Sequence, residues 1–238
     1  MQHIPGRTST GPTLSRTQTP HMNIEQARFN MIEQQIRTWD VLDQDVLDLL
    51  TVVKREAFVP AAYTALAFVD TEIPLPCGQS MLMPKFEARM LQEASVKKHE
   101  TVLEIGAGSG YMAALLSHRA RHVTTIEIEA ELQALAQDNL RRYGIDNVDV
   151  LPGDGARGWA NAAPYDVIMI SGSLPVLPQE FLAQIKIGGR ILCVVGDAPA
   201  MTAQVITRVS ELGYDTVNLF ETVIKPLRNA LTPSPFKF

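Results

Sequence analysis

Val102–Leu116, VLEIGAGSGYMAALL, is the stretch whose reading decides the fold. A short apolar run, Thr101–Ile105, meets Gly106-Ala107-Gly108-Ser109-Gly110, and a helical pattern starts at once over Tyr111–Ser117. Glycines at such a junction let the backbone turn sharply and let a ligand approach amide groups with no Cβ in the way. Strand, glycine turn and helix in that order predict the first unit of a nucleotide-binding sheet.

The spacing says which ligand class suits the turn. In the dinucleotide fingerprint the third glycine falls three residues after the second; here Tyr111 holds that place and the third glycine is Gly110. Glu104 lies two residues before Gly106. A carboxylate there would repel a pyrophosphate and attract a ligand carrying ammonium and sulfonium charges. That favours S-adenosylmethionine over NAD, and leaves an NAD-dependent oxidoreductase as a distant alternative.

Working outward, the alternation continues. His122–Ile128 is β-rich, Glu131–Tyr143 is helical and stops at Gly144, and Val148–Leu151 and Asp166–Ser171 read as strands. Phe181–Ile187 reads as a helix ended by Gly188-Gly189, Arg190–Val195 as a strand, and Met201–Leu227 as helix, turn at Gly213, then strand. This predicts an α/β, Rossmann-like doubly wound sheet, mostly parallel, with helices on both faces. Glu127 falls 21 residues after Gly106, where an acidic side chain can accept from ribose hydroxyls; capping the next helix is its alternative role. Asp154, between Gly153 and Gly155, follows a third strand and suits either binding or a plain turn.

Upstream, Phe29, Ile32, Ile36 and Trp39 recur at helical spacing, Val46–Leu50 form a second helix, and Asp40 and Asp43 break or cap between them. Arg55–Met83 is a proline-interrupted connector, and Phe86–Leu91 opens another helix after Pro84. Residues 1–22, rich in Thr, Ser, Pro and Gly, read as a disordered leader with Met22 as a candidate start. The expected division is leader 1–22, helical cap and connector 23–98, and donor-binding domain 99–238.

Composition narrows the rest. The net charge of -5 over 238 residues argues against a nucleic-acid partner held by a broad basic surface. No apolar run is long enough to suggest a membrane span. Cys77 and Cys193 sit in no metal or redox motif, which points to free thiols and the cytoplasm, with a single disulfide between them as the alternative. His99, His118 and His122 form no ligand set, so no metal is expected, and Trp39 and Trp159 read as packing residues.

From about Met31 to Leu227 the chain resembles the protein-L-isoaspartate (D-aspartate) O-methyltransferase family. The segments that carry this are MIEQQIRTWDVLD, VVKREAFVP, IPLPCGQS, VLEIGAGSGYMAALL, VTTIEIEAEL, GIDNVDVLPGDGARGW, APYDVIMISG, LPQEFLAQIKIGGRIL and VIKPL. The resemblance implies an S-adenosylmethionine-dependent carboxyl methyltransferase acting on isoaspartyl-bearing proteins or peptides. It implies a donor site at Glu104, Gly106, Ala107, Gly108, Gly110, Tyr111, Glu127, Ile128, Asp154 and Gly155. The family's active-site serine place holds Leu82, which can neither donate nor accept a hydrogen bond. Gln79 and Ser80 are the remaining candidates for orienting the acceptor, with a turn hydroxyl as the alternative for Ser80. Ser171-Gly172-Ser173 replaces the family's Thr-Ala-Ala. These departures leave open a different methyl acceptor or a silent donor-binding protein.

Overall fold

The fold is taken from a computed structural model, which describes residues 23–232. The leader reading of 1–22 lies outside the described residues.

A seven-stranded sheet organises the chain. Its strands are β3 (Thr101–Ile105), β4 (His122–Glu127), β5 (Val148–Pro152), β6 (Tyr165–Leu174), β7 (Ile185–Asp197), β8 (Ala200–Arg208) and β9 (Tyr214–Thr222). Their order is β5-β4-β3-β6-β7-β8-β9. Pairing is parallel from β5 through β7 and antiparallel for β7-β8 and β8-β9. The chain winds outward from β3 to β5, then crosses to β6 on the other side of β3. That reversal opens a crevice at the carboxyl ends of β3 and β6.

Helices α1 (Ile24–Met31), α2 (Gln44–Val52), α3 (Pro84–Ala94), α4 (Tyr111–Ser117) and α5 (Ala130–Tyr143) cover one face. Met31, Ile36, Leu47 and Leu50 of the N-terminal helices share one apolar cluster with Val102, Val123 and Val167 of the sheet. The opposite face carries α6 (Gln179–Ala183) and turns bearing Trp159 and Leu177, packed on Leu103, Ile105, Ile168 and Ile191. Helices therefore lie on both faces, but unequally.

Local chemistry fixes the helix ends. Asn23 and Asp43 cap α1 and α2 through their side-chain oxygens, Pro84 is the first residue of α3, and Gly144 closes α5 at φ 78°. Asp40 takes the left-handed conformation that ends the first helical stretch. Phe29, placed on the apolar stripe by spacing, is 58% exposed.

Two readings are corrected. Met201 begins no helix: Ala200–Arg208 is β8, hydrogen-bonded to β7 and β9 along its length. The helix expected over Phe181–Ile187 ends at Ala183, and Ile185 already pairs with Tyr165. Gly188-Gly189 lies inside β7, where the register between β6 and β7 breaks. A Cβ on Gly189 would come within 2.8 Å of the Asp166 carbonyl oxygen, so these glycines serve a bulge rather than a helix stop. No helix among the described residues is long and apolar enough to cross a membrane.

Candidate donor and acceptor cleft

The floor of the cleft is built from four strand tips. β3 ends in the glycine turn, where Gly106, Gly108 and Gly110 all have positive φ. Gly110 stands at φ 83°, and a Cβ there would lie 3.3 Å from the Ala136 backbone in α5. The turn can therefore sit flush on α5 only with glycine at that place. The Glu127 Oε2 at the tip of β4 accepts the Gly108 amide at 3.0 Å, and its Oε1 accepts the amides of Ile128 and Glu129 at 3.0 and 3.1 Å. This pattern serves the turn and the start of α5 together. Each carboxylate oxygen has two lone pairs, so Oε2 retains one for a ligand hydroxyl.

Glu104 points from the carboxyl-terminal end of β3 to the helix-rich face and is fully buried. Its Oε1 accepts the Ser171 hydroxyl at 3.2 Å, while Oε2 has no partner. The Thr125 hydroxyl, at the paired position on β4, is also unpartnered. Burial pushes the Glu104 carboxyl up to about 8 against the pull of the neighbouring Thr125 and Ser171 hydroxyls, and the carboxylates of Glu127 and Glu87 add to the rise. An orphaned buried carboxyl oxygen at the floor of a cleft is costly alone and well matched to a cationic ligand.

Asp154 follows β5. Its Oδ1 accepts the Ala156 amide at 2.9 Å, the turn role considered from sequence, and its Oδ2 accepts the Asn229 side-chain amide at 2.9 Å. β6 contributes Ser171 and Gly172; a Cβ on Gly172 would meet Leu227 Cδ2 at 2.7 Å. That close approach lets the segment after β9 cross the cleft. Ser173 pins it: its amide donates to the Lys225 carbonyl and its carbonyl accepts the Leu227 amide, both at 2.9 Å. Arg228 then reaches Glu129 at 3.1 Å and the Cys77 carbonyl at 2.9 Å.

The roof comes from a small hairpin, β1 (Ile73–Pro74) and β2 (Ser80–Met81), whose turn carries Cys77 and Gln79. Behind it lies the segment Lys54–Pro60. Arg55, 1% exposed, is ion-paired to the buried Glu87 of α3, donates to the Leu82 carbonyl at 2.6 Å and stacks 5.1 Å over the Tyr111 ring. Burial pushes the Glu87 carboxyl up to about 7 against the pull of that guanidinium. Phe58 packs on Tyr111 and Tyr143 at 5.5 and 5.2 Å. The roof is thus fastened to the helix that follows the glycine turn.

The cleft encloses about 930 Å³ of free space, counting the part open to solvent. Gln79, Ser80, Leu82, Glu104, Gly106, Ala107, Gly108, Tyr111, Glu127, Ile128, Asp154 and Gly155 all line it. Gly110 does not; it shapes the turn from behind. Tyr111 is 2% exposed, its ring under Arg55, whereas Ile128 stands at the rim, 40% exposed. Sequence reasoning missed Glu72, Glu87, Lys225 and Arg228, which also line the cleft. None lies in a recognisable spacing; VIKPL was quoted for resemblance, but only the fold shows that it crosses the site.

Sheet order, crevice and buried acid define a Rossmann-like methyltransferase. The chain matches the family model "Protein-L-isoaspartate(D-aspartate) O-methyltransferase (PCMT)" over residues 26–224, and it belongs to that family. It is 40% identical to a protein-L-isoaspartate O-methyltransferase of Koribacter versatilis, over 76% of this chain and 81% of that one. Against the Rhodopseudomonas palustris enzyme of the same name the identity is 40%, over 84% and 92%. A solved Plasmodium falciparum structure, assigned as a protein-L-isoaspartate O-methyltransferase and in complex with S-adenosyl-L-homocysteine, shares the fold. Its TM-score is 0.71 at 18% identity, covering 84% of this chain and 97% of that one.

Proposed function

We propose that this chain transfers the methyl group of S-adenosylmethionine to the free carboxylate of an isoaspartyl residue in a protein or peptide. The observation that carries the donor half is Glu104, fully buried at the crevice with one oxygen unpartnered. S-adenosylmethionine, when bound, supplies an electrophilic methyl on a cationic sulfur. Glu104 receives its ammonium, the free lone pair of Glu127 Oε2 accepts from its ribose, and Ile128, Asp154 and Gly155 border its base. Gly106, Ala107 and Gly108 present backbone with little side-chain bulk, and Tyr111 backs the turn.

The acceptor chemistry asks little of the protein beyond alignment. An isoaspartyl carboxylate is ionised at neutral pH, since such groups titrate near 4, so no general base is needed. Gln79, Ser80 and the roof hairpin orient it, and positioning of that kind supplies up to about 7–11 kcal/mol. Bringing an anion to a cation favours a water-poor site, which the roof and the crossing segment provide. On this reading 23–98 acts as the acceptor-side cap and 99–238 as the donor domain. The free thiols of Cys77 and Cys193 suit a reducing cytoplasm.

One observation favours a second reading. Leu82, half-buried against the core, brings an apolar side chain to the acceptor side; a methyltransferase with another acceptor would use that surface. Incubation with radiolabelled donor and an isoaspartyl peptide separates the two. Base-labile methyl incorporation supports the carboxyl reaction, and donor binding without incorporation supports the other.

A further inference from the structure

We infer that Lys225 is the cation that receives the acceptor's carboxylate, in the role a hydroxyl at Leu82 cannot fill; this rests on the isoaspartyl reading above. The charges around the cleft carry the argument. Six acidic side chains line it, and of these Glu87 is paired to Arg55, Glu129 to Arg228, and Glu104 holds its proton up to about pH 8, which leaves Glu72, Glu127 and Asp154 facing Lys225. An anionic acceptor entering that surface is repelled unless a cation faces it. Arg228 is committed to Glu129 at 3.1 Å and to the Cys77 carbonyl. Lys225 forms no ion pair among the described residues.

Its placement suits the task. The Lys225 backbone is held by the Ser173 amide at 2.9 Å, beside the parallel bridge of Ser173 with Pro226. From there the side chain spans the cleft, and its ammonium donates to the Gly78 carbonyl at 2.8 Å. Gly78 immediately precedes Gln79 and Ser80, so the charge stands at the roof turn that carries the acceptor-side candidates. One carbonyl occupies one of three ammonium donors, leaving two for a carboxylate. Leu82 offers none. A charge-assisted hydrogen bond from a lysine is stronger than a neutral one from a hydroxyl.

The rival role is a latch: Lys225 would merely tie the crossing segment to the roof, and Leu227 and Arg228 on that segment border the donor side. The two roles move different constants. With methyl-ester formation on an isoaspartyl hexapeptide and donor Kd by calorimetry, Lys225→Met is expected to raise the acceptor KM by about tenfold or more, as loss of a charged hydrogen bond implies. Its donor Kd stays within about twofold, and Lys225→Arg, which keeps the charge, holds the acceptor KM within about threefold of wild type. An unchanged acceptor KM in Lys225→Met overturns the assignment, as does donor binding that weakens in step with it. An active wild type with an indifferent Lys225→Met rejects Lys225 alone. A wild type that binds donor yet leaves the peptide unmethylated rejects the isoaspartyl reading and this one with it.

Discussion

The Oε2 of Glu127 accepts the amide N–H of Gly108 at 3.0 Å, tying the tip of β4 to the glycine turn after β3. One side chain thus shapes the turn and faces the cleft. Glu127→Ala leaves three amides without their acceptor and removes the proposed partner of the donor's ribose. Donor affinity is expected to fall by about 1–3 kcal/mol, roughly 5- to 150-fold, measured by calorimetry. Unchanged affinity takes Glu127 out of the donor site.

Glu104 predicts a pH dependence. In the donor-free protein it keeps its proton up to about pH 8, whereas the unfolded chain releases it near the ordinary value of 4.5. The stabilisation is therefore complete below the unfolded value and is lost as pH rises through the folded one. Denaturant titrations should show stability falling between about pH 5 and pH 8.5, with a shallower fall in Glu104→Gln. Glu87, also raised, accounts for part of the slope that remains. A wild-type profile as flat as the variant's contradicts the burial argument.

The Arg55–Glu87 pair holds the roof to α3. Removing one partner of a buried pair costs about 3–5 kcal/mol. At about 2–4 °C per kcal/mol for a chain of this size, Arg55→Met should lower Tm by roughly 6–20 °C. The loss should be larger near pH 8 than near pH 5.5, because a protonated Glu87 needs no counter-charge. Thermal melts at both pH values check this; a pH-independent loss points to packing alone.

Leu82→Ser restores a hydroxyl on the acceptor side. One added hydrogen bond is worth about 1 kcal/mol, so kcat/KM for an isoaspartyl peptide should rise about fivefold, with a small fall in Tm. A drop in kcat/KM instead makes Leu82 part of the acceptor surface and favours the second reading of function.

The parts legible in sequence are those where one local rule dominates. Thr101–Ile105, the glycine turn and α4 were read to the residue, because an apolar run, three glycines and a helix start leave one geometry. Gly144 and Asp43 marked helix ends by the same local logic. β8 was missed because Ala200, Met201, Ala203 and Gln204 favour helix, while its strand pattern is blurred by Val205 and Ile206 facing opposite sides. Pairing with β7 and β9 overrode the propensity. Gly188-Gly189 misled for a related reason: a bulge and a helix stop both call for glycine. In the cleft, the strand-tip residues were legible through spacing. Glu87 and Lys225 were not, since long-range crossings bring them there.

Titration of the purified protein with S-adenosylmethionine and, separately, with NAD tests the central claim most directly, that a cationic sulfonium compound rests across these strand tips. The account predicts saturable heat with the sulfonium donor, proton release on binding near pH 7 as Glu104 ionises, and no saturable signal with NAD. Saturable NAD binding with none for S-adenosylmethionine would contradict it.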